Sequence, residues 1–181
     1  MIKIRQGVFE TNSSSTHAIC IYTKNPNIPD EVYIQVGKFS WDREDLKDAE
    51  SKLSYLYTFL TAQVYYATYD ARNPEAIKRA KKEIGVIQND LYDRLSTLGC
   101  NAIFETVEKT LNCYENYDAY IDHDECMDDR FTKFVLNHLD DYLSDDSIVM
   151  MGNDNSTYDV FDRADKLKQK KHNMEVFYKG N

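Results

Sequence analysis

From Leu46 to Leu95 apolar residues recur at intervals of three and four, broken once at Asn73-Pro74, and no other pattern in the chain narrows its fold as much. Leu46, Ala49, Leu53, Leu56, Tyr57, Leu60, Val64 and Ala67 share one helical stripe and predict a long amphipathic helix over residues 42–69. Asn73 then offers a side-chain cap and Pro74 a first-turn proline, opening a second helix through Ile77, Ala80, Ile84, Ile87, Leu91 and Leu95 to a stop at Gly99. Two long helices joined by so short a break form an antiparallel helical hairpin.

Shorter apolar runs flank the hairpin. Met1-Ile2-Lys3-Ile4 and the stretch from Ile19 to Tyr22 alternate as strands do, and the polar run between them predicts an amino-terminal β-hairpin. Asn25-Pro26-Asn27-Ile28-Pro29 is a turn, and Val32 to Val36 reads as a third strand ended by Gly37. Ile103, Phe104, Val107 and Leu111 suggest a third helix, Tyr117 to His123 a strand, and Arg130 to Tyr142 a helix with Phe131, Phe134, Val135 and Leu139 inward. Ile148 to Met151 reads as a buried strand ended by Gly152, and Val176 to Tyr178 as a last one. The expected class is α+β: a small antiparallel sheet with an N-terminal β-hairpin, packed against the long helical hairpin and several shorter helices. At 181 residues this is a single domain, with a hairpin and strand over 1–40, the helical hairpin over 41–99 and a mixed remainder over 100–181.

Composition excludes several functions. With 22 basic against 31 acidic residues the net charge is −9, which opposes general binding to nucleic-acid phosphates and favours docking on a basic surface. No stretch approaches the roughly 20 apolar residues of a membrane span, and the charged start lacks the apolar run of a signal peptide, so a cytoplasmic protein without a membrane partner is expected. Cys20, Cys100, Cys113 and Cys126 are scattered and read as reduced thiols. The long exposed helices leave room for a homodimer.

Two constellations carry residue types that do chemistry. The first is Arg5-Gln6-Gly7-Val8-Phe9-Glu10-Thr11-Asn12-Ser13-Ser14-Ser15-Thr16-His17. A carboxylate or imidazole removes a proton from an attacking hydroxyl, an imidazolium returns one to the leaving oxygen, and a guanidinium holds a phosphate bidentately; Glu10, His17 and Arg5 have those chemistries. Thr11, Asn12, Ser13 and Ser14 could orient a substrate. Set against this is a polar hairpin whose Asn12 and serines satisfy turn backbone, with Glu10 and His17 as an ordinary surface pair. No Gly-x-Ser-x-Gly elbow surrounds the serines, so a serine nucleophile ranks below acid–base chemistry.

The second constellation is Asp122-His123-Asp124-Glu125-Cys126 at a strand end. His123 could join His17 as a second imidazole, or Asp122 and Asp124 could hold a divalent cation; the competing reading is a solvated acidic loop. His138 and His172 read as surface histidines. The aromatics Tyr55, Tyr57, Phe59, Tyr65, Tyr66 and Tyr69 could stack bases but at helical spacing read first as packing. Two basic stretches stand out, Lys78-Arg79-Ala80-Lys81-Lys82 and Lys166 to His172.

The 13-residue motif Arg5 to His17 resembles the opening of a group of small proteins carried by phages and other mobile elements of Gram-positive and gut bacteria. With its acidic charge and size, the chain also resembles type II-A anti-CRISPR proteins that disable the RNA-guided effector nuclease by having its guide RNA truncated. The resemblance implies an inhibitor in the bacterial host cytoplasm, with the effector and its guide RNA as partners. It implies that the hairpin acts on the guide as an effector-dependent ribonuclease through Arg5, Glu10, Thr11, Asn12, Ser13, Ser14 and His17. Cleavage through the guide's 2′-hydroxyl would need no metal and no cofactor. The alternatives are a non-enzymatic acidic inhibitor that occupies a nucleic-acid groove of the effector, and a metal-dependent hydrolase centred on Asp122, His123 and Asp124.

Overall fold

The computed structural model describes residues 15–23, 26–40, 44–69, 73–122, 130–153 and 160–179. Strand β1 (Ser15–Tyr22) is buried along nearly its whole length on both faces, which is what its near-continuous run of Ala18, Ile19, Cys20 and Ile21 requires. It lies inside a four-stranded antiparallel sheet of order β4-β7-β1-β8, with β4 at Glu44–Leu46, β7 at Ile148–Asn153 and β8 at Met174–Lys179. Helices cover both faces. On one side Ile19, Ile21, Val149, Met151 and Phe177 pack toward α1 (Ala49–Tyr69); on the other Ala18, Cys20, Met150, Met174 and Val176 pack with Val160 and Ala164 of α6 (Val160–Lys170).

Helix α1 departs from the amphipathic expectation. Leu53, Tyr55, Leu56, Tyr57, Phe59 and Ala62 are all buried, so the helix is enclosed on most sides and runs through the middle of the molecule. Its polar groups are satisfied internally: Tyr57 Oη meets Thr110 Oγ1 at 3.0 Å, and Thr61 Oγ1 meets Tyr114 Oη at 2.8 Å. Lys52 is buried too, its Nζ donating to the carbonyls of Ser144 at 2.7 Å and Ser147 at 3.2 Å. Burial pushes its ammonium down to about 8, against the pull of Asp145 and Asp48.

Helix α2 (Pro74–Thr97) is one-sided as expected, burying Ala76, Ala80, Ile84, Leu91 and Leu95. The Asn73 side chain accepts from the Ala76 N–H at 2.8 Å, and Gly99 stands at φ +84°, a left-handed turn that a residue with a Cβ resists. The α1–α2 pair forms the helical hairpin, and the class is α+β with a small antiparallel sheet and shorter helices around it.

Several local expectations are corrected. Residues 44–46, read as the start of the first helix, form β4. The helix expected from Ile103 begins only at α3 (Val107–Glu115), because Asn101–Phe104 forms β5, parallel to β2 (Glu31–Ile34). A strand was expected over 117–123; β6 spans Tyr120–Ile121 and pairs in parallel with β3 (Lys38–Phe39). The helix from Arg130 splits at His138 into α4 (Arg130–Asn137) and α5 (Leu139–Leu143). Gly152 does not end its strand; a Cβ there would stand 2.7 Å from Val160 Cγ2, so the glycine lets α6 approach the sheet. Residues 1–4, the first arm of the expected N-terminal hairpin, lie outside the described residues, while the second arm is β1, whose partners are β7 and β8.

Candidate functional site

Alternation along β1 sends Ser15 and His17 to the α1 face, and the antiparallel register sets His17 directly opposite Lys179 of β8. On β8 the same alternation puts Lys179 beside the buried Phe177, and the side chains of Ser15, His17 and Lys179 are all fully buried. A buried ammonium demands polar company. Lys179 Nζ donates to Ser15 Oγ at 2.7 Å, and Ser15 Oγ in turn donates to the Asp122 carbonyl at 3.2 Å. His17 Nδ1 meets Tyr55 Oη of α1 at 2.8 Å. Phe39 packs edge-on to the Tyr55 ring at 5.1 Å and closes that side.

The imidazole is held neutral. Burial is the main cause of a proton affinity well below the usual 6.5, the Lys179 charge adds to it, and the Ser40 backbone opposes both without a hydrogen bond of normal geometry. His17 Nε2 has no hydrogen-bond partner among the described residues. A neutral imidazole can accept a proton, but this one is enclosed by sheet and helix. The structure therefore corrects one expectation: His17 is an interior residue on a central strand, not a member of an exposed surface pair.

Arg5, Glu10, Thr11, Asn12, Ser13 and Ser14 lie outside the described residues, as do His123, Asp124, Glu125 and Cys126. The two constellations nevertheless meet at their described ends. Ser15, which follows Ser14 in the chain, is bonded to Asp122, which precedes His123. His138 is exposed, stacked on Phe134 at 4.3 Å with Nδ1 against the Phe134 carbonyl, as a surface residue would be. Of the aromatic residues on α1, Tyr55, Tyr57, Phe59 and Tyr65 are buried in packing, whereas Tyr66 is exposed. Among the described residues no group of three His, Cys, Asp or Glu side chains could hold a metal ion, and no helix is long and apolar enough to cross a membrane.

The sequence offers Ser15 only as a turn or motif serine and Tyr55 only as packing, and it does not single out Lys179. Tyr55 was hidden in a run of aromatics, and Lys179 in the general rule that lysines face water. The one available signal for Lys179 was strand alternation with Phe177. No protein-family model, curated protein or solved structure matches the chain.

Proposed function

We propose that the protein is an anti-CRISPR inhibitor acting in the cytoplasm of a bacterial host, where it binds a guide-loaded type II effector nuclease and promotes cleavage of the guide RNA through its amino-terminal motif. The observation that carries this reading is the Arg5 to His17 motif, supported by how its described end is anchored. Ser15 and His17 sit on the central strand and are tied by Lys179 and Tyr55, so this end of the motif is held on a rigid element.

In this reading His17 is a positioning residue, because its ring is fully buried. Glu10 takes the proton from the guide's 2′-hydroxyl, and Arg5 holds the phosphate. The 2′-oxygen bonds to phosphorus and the P–O5′ bond breaks, leaving a 2′,3′-cyclic phosphate and a 5′-hydroxyl whose proton comes from His123 or a group of the effector. The net charge of −9 gives free RNA little attraction and makes the effector the means of capture.

The test is to incubate the protein with guide-loaded effector in chelator and run the extracted guide on a denaturing gel beside a Glu10→Gln variant. Shortened guide with the wild type and intact guide with the variant, both still co-eluting with effector, is the expected result. Intact guide with the effector still inhibited would overturn cleavage and leave the acidic groove-blocker, which the net charge favours.

A further inference from the structure

The outward face of α2 carries charges that reverse sign about one residue. In a helix of 3.6 residues per turn, positions four and seven apart fall on one face, so Arg79, Lys82, Val86, Asp90 and Asp93 form a single seam turned away from the buried Ala80, Ile84 and Leu91. All five side chains are exposed, and Val86 at 59% is the most exposed large apolar side chain on any helix among the described residues. It stands at the centre: Arg79 lies seven residues before it and Asp93 seven after, Lys82 four before and Asp90 four after. Arg79, Lys82 and Asp93 form no ion pair among the described residues, and Asp90 holds Arg94 through Oδ2 at 2.9 Å, which leaves Oδ1 for a partner. Gly85 adjoins the seam. A glycine weakens a helix interior, yet a Cβ at this position would meet nothing within 4 Å, so no neighbour within the fold requires it.

Such a seam is its own complement. When a second copy lies antiparallel with the two Val86 side chains in contact, each residue before Val86 meets the one equally far after it, so Arg79 faces Asp93, Lys82 faces Asp90, and the two-fold axis repeats both pairs. A partner of uniform charge fits worse: nucleic-acid phosphates would be repelled by Asp90 and Asp93, and a basic protein surface by Arg79 and Lys82. The net charge of −9 on each copy does not prevent the approach, because at physiological ionic strength charges are screened beyond about 8 Å whereas the facing pairs act at contact. We propose that the outward face of α2 is a homodimer interface, in which two copies pack antiparallel about Val86 through the Arg79–Asp93 and Lys82–Asp90 pairs and Gly85 admits the facing helix closely. This interface does not depend on the function proposed above.

Sedimentation equilibrium of the full chain at about 0.15 M salt should show a mass that rises from one chain toward two with concentration. Arg79→Glu/Lys82→Glu and Asp90→Lys/Asp93→Lys each set like charges against one another and should weaken the dimer at least about tenfold. Val86→Glu, which puts two like charges on the axis, should do the same. All five positions are exposed, and circular dichroism checks that each variant keeps its helix content. Mixed one to one, the two charge-reversed variants bring introduced glutamates against introduced lysines and leave Arg79 and Lys82 of one chain facing Asp93 and Asp90 of the other. The mixture should therefore recover the dimer where each component alone is a monomer. A wild type that stays monomeric to about 1 mM, a reversed variant that dimerises as tightly as the wild type, or a mixture no more dimeric than its components would each overturn the proposal.

Discussion

Among the described residues two lysines are fully buried on the α1 side of the sheet, and they are satisfied in different ways. Lys52 ends on two backbone carbonyls of the turn after α5, groups any sequence would present there. Lys179 donates to a serine hydroxyl and stands across the ladder from an imidazole. A lysine that completes backbone hydrogen bonds closes a turn. One that meets side chains able to exchange protons shapes their chemistry. Burial alone therefore does not tell the two lysines apart; the kind of partner does.

The sharpest way to break this contrast is Lys52→Ala, which removes a buried stem and takes the lysine donor from the Ser147 carbonyl, while the Ser144 carbonyl keeps only the Ser147 N–H. It should cost about 3 kcal/mol or more in a urea melt, and a loss below about 1 kcal/mol would deny Lys52 its structural part. Next in size is the dependence of stability on pH. His17 in the folded state binds its proton less readily than the ordinary 6.5, so below 6.5 the unfolded chain takes up a proton that the fold resists, and stability falls as pH falls through that range. For Lys52 the folded value is about 8 against 10.5 unfolded, so its own contribution to stability rises as pH rises between those values, while burial of Cys20 and Tyr57, each pushed up to about 12, works the other way. Melts of His17→Asn should flatten the slope just below pH 6.5, and melts of Lys52→Met should show a steeper alkaline loss of stability than the wild type; either slope unchanged in its own variant would reassign it.

Tyr55→Phe removes the hydroxyl at His17 Nδ1 and should cost about 1 kcal/mol by the same melts, with no large change elsewhere in the core. The smallest effect is the most discriminating. Lys179→Met takes away a positive neighbour, so the His17 ring followed by NMR should titrate at higher pH than in the wild type, whereas Lys52→Met should leave that titration in place. Identical His17 titrations in the two variants would dissolve the distinction between the lysines.

Local chemistry made part of the fold legible. The Asn73 cap, Pro74 and the left-handed Gly99 set the bounds of α2 without help from distant residues. The burial of α1 was not legible, because a stripe of leucines looks the same whether the opposite face meets water or other helices. Ile103 and Phe104 joined a strand because β2 lay ready to pair with them, a tertiary choice that overrides local periodicity. Helix α6 went unread since its polar surface hides the few residues, Val160 and Ala164, that hold it to the sheet. At the site, His17 stood out by residue type, but its enclosure depends on Tyr55 and on Lys179, which lies 162 positions later in the chain.

That separation bears on how the molecule is made. Strand β1 emerges from the ribosome well before both of its neighbours, β7 and β8, which come from residues 148–153 and 174–179. Pairings between such distant segments form late and slowly, since a long loop must close before any ladder bond rewards it. Through most of synthesis the helical hairpin can assemble while β1 has no partner, so a chain truncated before Met174 would carry the whole amino-terminal motif and none of the strand that seats it.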